Sequence, residues 1–213
     1  MFKKTTWHQP TWLAQSWPGF AWLSIIIVIA AILPQQIQQA LVYQHSAIID
    51  AEYWRLVTGH LLHSNTWHLV MNLAGLSLVM LLHGRYYSSS TIILYVGCTA
   101  LGISYLLLWL APDIQVYVGL SGVLHALLCI GAIKDMQQHE PTGKILFLGL
   151  MAKVGYEQWQ GPDADLAQLI NANVAIDAHL FGIVIGLLLA LLLSLVAYFH
   201  RAYGRKFKRP PGR

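Results

Sequence analysis

Charged residues are scarce in this sequence of 213 residues. Asp, Glu, Lys and Arg together make up 10% of the chain, whereas 56% of it is hydrophobic. Soluble domains of similar length carry about 25% charged residues. The deficit excludes an ordinary soluble domain and indicates a chain that lies mostly in lipid.

Cysteine and linker-like segments are scarce as well. The two cysteines, Cys98 and Cys129, both fall in apolar stretches, where cysteine packs as a small apolar side chain. A disulfide-stabilised secreted scaffold is therefore excluded. No internal repeat, low-complexity tract or polar linker divides the chain, which predicts one compact domain.

Long apolar runs are present instead, and six of them suit membrane-spanning helices. Such a helix needs about 20 mainly apolar residues, and fewer where it packs inside a bundle. Residues 22–33 also resemble a signal-peptide core, but no small-x-small cleavage site follows them, which favours a retained span. The predicted spans are roughly 19–42 with a break near Pro34, 66–83, 91–111, 118–134, 144–159 and 176–199.

Basic residues fall mainly on one side of these spans. With the N-terminus in the cytoplasm and one crossing per run, 11 of the 13 Lys and Arg residues are cytoplasmic, as the positive-inside rule expects. The fold class is therefore predicted as an all-α, six-span membrane bundle with both termini cytoplasmic. It divides into an N-terminal segment 1–18, a membrane domain 19–200 and a basic tail 201–213. The basic residues of this tail explain the net charge of +4, and we expect them to face anionic lipid. The positive charge therefore does not imply binding to nucleic acid.

Polar residues inside the spans gather at one depth. They lie near the start of the second, fourth and sixth spans, which all begin at the outer face. The stretch TWHLVMNL places His68 and Asn72 one turn apart, GLSG contains Ser121, and DAHLFGIVIG contains His179. Polar side chains are costly in lipid and often functional, so this clustering indicates a site.

The serine and the second histidine suit nucleophilic catalysis. Serine is a poor nucleophile unless a neighbouring base takes its proton. Gly182 and Gly186 share a helix face with His179, and small residues four apart let two helix backbones approach closely. Gly122 gives the helix of Ser121 a similar narrow face. We therefore predict that Ser121 is the nucleophile and His179 is its base.

Acyl transfer also requires donors for the oxyanion, each worth about 3 kcal/mol. The Asn72 amide, the His68 ring and the backbone N–H of Ser121 at a helix start are candidates. Each residue also has a structural interpretation, since a serine caps helices and a buried histidine or asparagine bridges them. Four such residues at one depth favour the catalytic interpretation.

Four ordered motifs resemble the rhomboid family. The resemblance covers roughly residues 20 to 200 and implies a six-helix intramembrane serine protease. It also implies a catalytic dyad of Ser121 and His179, with His68 and Asn72 helping to bind the oxyanion. The motifs are ExWR (Glu52, Trp54, Arg55), HxxxN (His68, Asn72), GxSG (Gly119, Ser121, Gly122) and AHxxGxxxG (Ala178, His179, Gly182, Gly186).

Within that family the chain most resembles the bacterial rhombosortases. It is short, it lacks a soluble cytoplasmic domain, and it contains YEQWQGP before the last span and DAH at its start. The resemblance implies cleavage of exported proteins at a C-terminal tail with a Gly-Gly-type motif, on the periplasmic side of the bacterial inner membrane. Both hydrolysis and transfer to an amine stay open. No cofactor or metal is expected.

Three other functions stay open at this stage. They are a general rhomboid protease that cleaves other membrane helices, a non-catalytic rhomboid-like binding protein, and a transporter that uses the polar cavity. The last two classes differ from a protease in the residues they need, since a binding protein typically lacks the serine or histidine and a transporter carries polar groups deeper in its spans.

Several neighbouring residues have two interpretations each. His125, one turn after Ser121, packs against the His179 ring or competes with it as base. Asp177 completes a triad with His179 or favours the helix N-terminus electrostatically. His60 and His63 are interfacial histidines or half of a metal site for which no third ligand stands out.

The fifth span contains a charged pair with two interpretations. Lys153 and Glu157 are four residues apart, so they neutralise each other on one helix face. The fifth helix of rhomboids flanks the substrate's path, so the resemblance also implies that this pair, with Tyr156 and Trp159, reads the substrate.

Overall fold

The computed structural model describes residues 11–204, without the side chains of Thr11, Leu13, Arg201 and Tyr203. Helices make up most of this region, with short 3-10 turns at Gly59–Leu61 and Gly84–Tyr86. The elements are α1 (Thr11–Ile32), α2 (Gln35–Leu41), β1 (Tyr43–Gln44), α3 (His45–Ile49), α4 (Arg55–Thr58), α5 (Thr66–His83), α6 (Ser89–Leu110), β2 (Val116–Tyr117), α7 (Ser121–Gln137), α8 (Pro141–Gln160), α9 (Ala164–Ile170) and α10 (Ile176–Gly204).

Four helices are long and apolar enough to cross a membrane. They are α1, α5, α6 and α10, through segments 14–32, 66–86, 89–110 and 176–200. The prediction of a mostly helical, multi-pass membrane protein is therefore confirmed. The helices α7 and α8, with 17 and 20 residues, fall outside this group. Most of α7 is buried within the bundle, so it does not need a long lipid-facing surface.

The first helix begins before its predicted start at residue 19. Helix α1 already runs from Thr11, so the predicted boundary at residue 18 lies inside it. Polar residues lower the hydropathy at this end of α1, but the backbone there makes tertiary contacts. Ser89 Oγ donates to the Gln15 carbonyl and accepts from Gly19 N–H. The break near Pro34 is where it was predicted. Residues 1–10 and 205–213, which include most of the predicted basic tail, lie outside the described residues.

Helices α7 and α10 touch through their backbones. A Cβ atom at Gly122 would lie 2.7 Å from the Ala178 carbonyl oxygen, and one at Gly186 would lie 2.8 Å from the Ala126 carbonyl oxygen. A Cβ atom at Gly182 would collide with the Gly122 carbonyl oxygen. The glycines therefore fix the distance between the helices that begin with Ser121 and contain His179.

Replacement of Gly182 by alanine is expected to destabilise the protein by about 1–3 kcal/mol, because the added methyl group must push α7 away from α10. Gly97 is the matched control, since it lies within α6 and a methyl group added there would have no other atom within 4 Å. Gly97→Ala should be neutral or stabilising by up to about 1 kcal/mol. Thermal unfolding in detergent measures both variants, and equal midpoints would refute the contact.

A polar network fixes the loop between α2 and α5. The Arg55 side chain is buried, donates to the carbonyls of Gln39 (2.8 Å) and Val42 (2.7 Å), and pairs with Glu52 at 2.6 Å. These contacts of Arg55 tie the loop together. The loop then reaches the strand pair β1–β2, where Tyr43 lies opposite Tyr117.

Candidate active site

The backbone before α7 places Ser121 at the first position of the helix. Gly119 adopts φ +122°, a conformation that L side chains rarely adopt, and its N–H donates to the Gly59 carbonyl at 3.2 Å. The Tyr117 hydroxyl donates to the Gly119 carbonyl at 2.6 Å. The N-cap of α7 is Leu120, so the Ser121 hydroxyl does not cap the helix.

The Ser121 hydroxyl instead contacts a histidine from another helix. Ser121 Oγ lies 2.9 Å from Nε2 of His179, which projects from the first turns of α10 and is buried. The distance is that of a good hydrogen bond. Because the α7 and α10 backbones are in contact at this level, the serine and the histidine meet without long side chains.

A glutamate forms a hydrogen bond with the second ring nitrogen of this histidine. Glu157 Oε2 lies 3.0 Å from His179 Nδ1. An ionised carboxylate only accepts hydrogen bonds, so Nδ1 carries the proton and Nε2 presents a lone pair to the Ser121 hydroxyl. The arrangement Ser121–His179–Glu157 is the geometry of a serine, a base and a group that orients the base.

This glutamate occupies the position that the triad interpretation gives to Asp177. The Asp177 carboxylate contacts the Gln158 amide at 3.5 Å and does not take the orienting position beside His179. Residues two apart on one helix point in different directions, whereas Glu157 faces His179 from the neighbouring helix α8. In the sequence, Glu157 stands out as an acidic residue inside an apolar run. Its sequence context predicts an ion pair with a lysine or a role in substrate recognition.

The lysine of the predicted charged pair also contacts this glutamate. Lys153 Nζ lies 2.7 Å from Glu157 Oε1, so both carboxylate oxygens have a partner. Lys153 lines the cavity described below. Tyr156 and Trp159 are 61% and 81% exposed and lie outside that lining, on the outer surface of α8.

His125 stacks on the catalytic candidate histidine. Its ring lies 4.2 Å from that of His179, with 16° between the planes. Its Nδ1 atom donates to the Ser121 carbonyl at 2.7 Å, which fixes the ring. The packing interpretation of His125 agrees with this geometry, because the ring lies beside His179 and bonds to the serine's backbone.

One cluster of possible metal ligands is present among the described residues. Donor atoms of His125, Glu157 and His179 all lie within 4.8 Å of one another. Hydrogen bonds already occupy both ring nitrogens of His179 and Nδ1 of His125. A network of hydrogen bonds therefore accounts for the cluster, and we expect no metal there.

The two loop histidines have separate contacts, and neither belongs to a cluster of three possible metal ligands among the described residues. His60 Nε2 lies 2.9 Å from Ser104 Oγ and so links the loop to α6. His63 packs its ring edge-on against His68, at 5.0 Å between centroids. Burial and the neighbouring His68 lower the pKa of His63 to about 3, so this ring is neutral near pH 7.

His68 and Asn72 face the same cavity as the serine and the histidine. This cavity of about 340 Å³ is lined by all four residues and by apolar side chains of α5, α7, α8 and α9. The Asn72 amide donates to the His68 carbonyl at 2.9 Å, which leaves its second N–H for a ligand. The Nε2 edge of the His68 ring lies against Gly119, where a Cβ atom would be 2.7 Å away.

Comparison with known proteins identifies the family. No curated protein matches the chain at a significant level. Residues 50–196, more than half of the chain, match the Rhomboid domain. The match includes Ser121, His179, His68, Asn72 and Glu157. The chain therefore belongs to the rhomboid family of intramembrane serine proteases.

Proposed function

We propose that this protein is a serine protease whose nucleophile is Ser121 and whose general base is His179. One observation carries the proposal, namely the 2.9 Å contact between Ser121 Oγ and His179 Nε2 with Glu157 on the other ring nitrogen. Such a base makes the otherwise weak serine hydroxyl reactive. Membership of the rhomboid family supports the same reaction class.

The reaction follows from these contacts. Ser121 Oγ attacks the scissile carbonyl carbon and its proton passes to His179 Nε2. The imidazolium that forms is stabilised by the Glu157 carboxylate at Nδ1. When the C–N bond breaks, His179 returns the proton to the leaving amine, and the acyl group stays on Ser121. Water or another amine then attacks this ester and releases the serine.

Donors for the oxyanion are present on both sides of the serine. The second N–H of the Asn72 amide and the His68 ring face the cavity. The first N–H groups of α7, at Ser121 and Gly122, have no partner within the helix because of their position. Positive partial charge at this helix start favours a developing negative charge.

We further propose six spans with both termini in the cytoplasm. In this topology α7 and α8 cross the membrane with α1, α5, α6 and α10. Helix α7 lies buried inside the bundle, and α8 packs against α7 and α10. A helix of 17 residues is about 25 Å long, so Ser121 and the lysine Lys134 near the end of α7 lie at opposite ends of the bundle. Arg85 and Lys144 lie at the same end of the bundle as Lys134. These basic residues favour a cytoplasmic position for that end and a periplasmic opening for the site.

The proposed substrate is the C-terminal Gly-Gly-type tail of an exported protein, anchored in the bacterial inner membrane by its own helix. Apolar residues such as Met71, Leu124 and Leu150 line the cavity around Ser121, and such a lining suits uncharged residues, such as glycine, beside the scissile bond. Glycine lowers the cost of unwinding a helix into the extended form that a protease needs. The rhombosortase-like motifs support this substrate class.

Co-expression with a membrane protein that carries a Gly-Gly tail tests the proposal. Mass spectrometry of the product should show a new C-terminus at the tail motif, and an added amine would show transfer in place of hydrolysis. The control substrate has Val-Val in place of Gly-Gly, and we expect its cleavage to fall at least about tenfold. Equal cleavage of both would indicate a general rhomboid protease, and cleavage of neither would refute the proposed substrate.

A further inference from the structure

A groove lies at the end of the bundle opposite to Ser121. It has a volume of about 580 Å³ and lies between the last turn of α7 and the last turns of α10. Polar groups of both helices line it, together with the lysine at the end of α7. The lining includes Lys134, Gln137, Gln138, Ser194 and Tyr198.

A second, apolar groove continues from the first. It has a volume of about 220 Å³ and shares Lys134, Gln137 and Ser194 with its neighbour. From there it runs along Ile133, Ala190 and Leu193, towards the middle of the bundle. Together the two grooves form a polar compartment at one end and an apolar channel behind it. An amphiphile has the same arrangement, with a polar head group and an apolar chain.

The lysine in the polar compartment has no carboxylate partner among the described residues. The adjacent Asp135 is already used, because its Oδ1 atom accepts from Arg85 at 2.8 Å and from the Tyr86 hydroxyl at 2.6 Å, and its Oδ2 atom lies 3.4 Å from His83. A partly buried ammonium group without a counter-ion is unfavourable, so the site favours an anion.

Three tyrosine rings surround the same ammonium group. Lys134 Nζ lies 5.5–5.6 Å from the ring centroids of Tyr86, Tyr87 and Tyr95, and 3.4 Å from the Tyr86 carbonyl. These contacts hold the lysine in place without neutralising it. The ammonium group is therefore held at the wall of both grooves, which Lys134 lines.

We propose that this pair of grooves binds an anionic phospholipid. Its phosphate accepts from Lys134 and from the second N–H of the Gln137 amide, whose first N–H donates to Ser194 Oγ at 2.8 Å, and one acyl chain follows Ile133 and Leu193. Basic pockets between membrane helices recognise anionic head groups in this way. The lipid would hold α7 against α10 at the end away from the active site.

The test uses the full chain purified in detergent. Phosphatidylglycerol is added, and native mass spectrometry counts the lipid retained while thermal unfolding gives the midpoint. We expect Lys134→Gln to weaken phosphatidylglycerol binding about fivefold or more, since a basic residue near anionic lipid contributes about 1 kcal/mol. Lys144→Gln is the matched control, because Lys144 is an exposed lysine in the first turn of α8.

Further variants separate a specific site from general surface charge. Lys134→Arg should retain binding, and Ser194→Leu should reduce it by filling the groove without altering charge. Phosphatidylcholine and inorganic phosphate at the same concentration should leave the midpoint unchanged. Equal losses in Lys134→Gln and Lys144→Gln would overturn the proposal, as would a full effect of inorganic phosphate or phosphatidylcholine.

Discussion

Replacement of Ser121 by alanine is expected to abolish cleavage, with a loss of at least about 10,000-fold in turnover. The change removes the oxygen that we propose as the nucleophile and leaves His179 Nε2 without its partner at 2.9 Å. Labelling by a fluorophosphonate, which reacts with activated serines, should disappear in the same variant. His179→Ala should lose labelling as well, because the hydroxyl then has no base.

The double variant and a surface serine complete this experiment. Residues that act as a unit are not additive, so Ser121→Ala combined with His179→Ala should be no less active than either single variant. Ser77 is the control serine, since it is exposed and its hydroxyl donates to the Leu73 carbonyl of its own helix. Ser77→Ala should label like the unmodified protein. Undiminished labelling in both active-site variants would show that another residue is the nucleophile.

Replacement of Glu157 by glutamine should lower turnover about 1,000-fold while the KM changes little. Lys153 Nζ donates to Oε1, so the new amide turns its oxygen towards Lys153 and its NH₂ group towards His179. The NH₂ group requires an acceptor at Nδ1, which moves the ring proton to Nε2. His179 then points a proton at Ser121 and no longer accepts one, as happens when an orienting aspartate in a triad becomes an amide.

Asp177→Asn is the matched control for this variant, because it makes the same acid-to-amide change beside the same histidine. Asp177 contacts Gln158, so its replacement should change turnover by less than about threefold. Glu157→Asp should recover part of the lost activity, and kinetic measurement at several pH values should show a changed profile only for Glu157→Gln. A large loss in Asp177→Asn with normal activity in Glu157→Gln would reverse the assignment.

The charged partner of Glu157 has a smaller expected effect. Lys153→Met removes a half-exposed ion pair, so we expect turnover to fall less than about tenfold. Comparison of Gly-Gly and Val-Val substrates with this variant separates two roles for the lysine. An unchanged preference between the two substrates would count against a role of Lys153 in substrate recognition.

The sequence places Ser121 and His179 at one depth, since their positions follow from where spans begin, and in the structure their side chains lie 2.9 Å apart. Periodicity places Gly122 and Gly182 on the faces that meet, and the backbone contact between α7 and α10 then brings Ser121 to His179. Glu157 could not be assigned in this way. Its contact depends on how α8 is rotated relative to α10, and the spacing of residues within one helix does not determine that rotation.

The start of the first helix also could not be predicted from the sequence. Hydropathy places it at residue 19, but Gln15 and Gly19 bond to Ser89, which is far away in the sequence. Tertiary contacts of this kind extend a helix beyond its apolar run. Likewise, Lys134 does not pair with the neighbouring Asp135, because adjacent residues of one helix point in different directions. Asp135 instead binds Arg85 and Tyr86, which are distant in the sequence.

The backbone contact between α7 and α10 divides the site into two groups of residues, one held by that contact and one carried by α8. Ser121 and His179 belong to helices whose separation is set by touching main-chain atoms, so their distance does not depend on α8. Glu157 and Lys153 belong to α8. Displacement of α8 by an incoming substrate would leave the serine and the histidine in register but withdraw the carboxylate from the ring. Any movement of α8 would thus change the contact between Glu157 and His179, while the alignment of Ser121 with His179 would be independent of that helix.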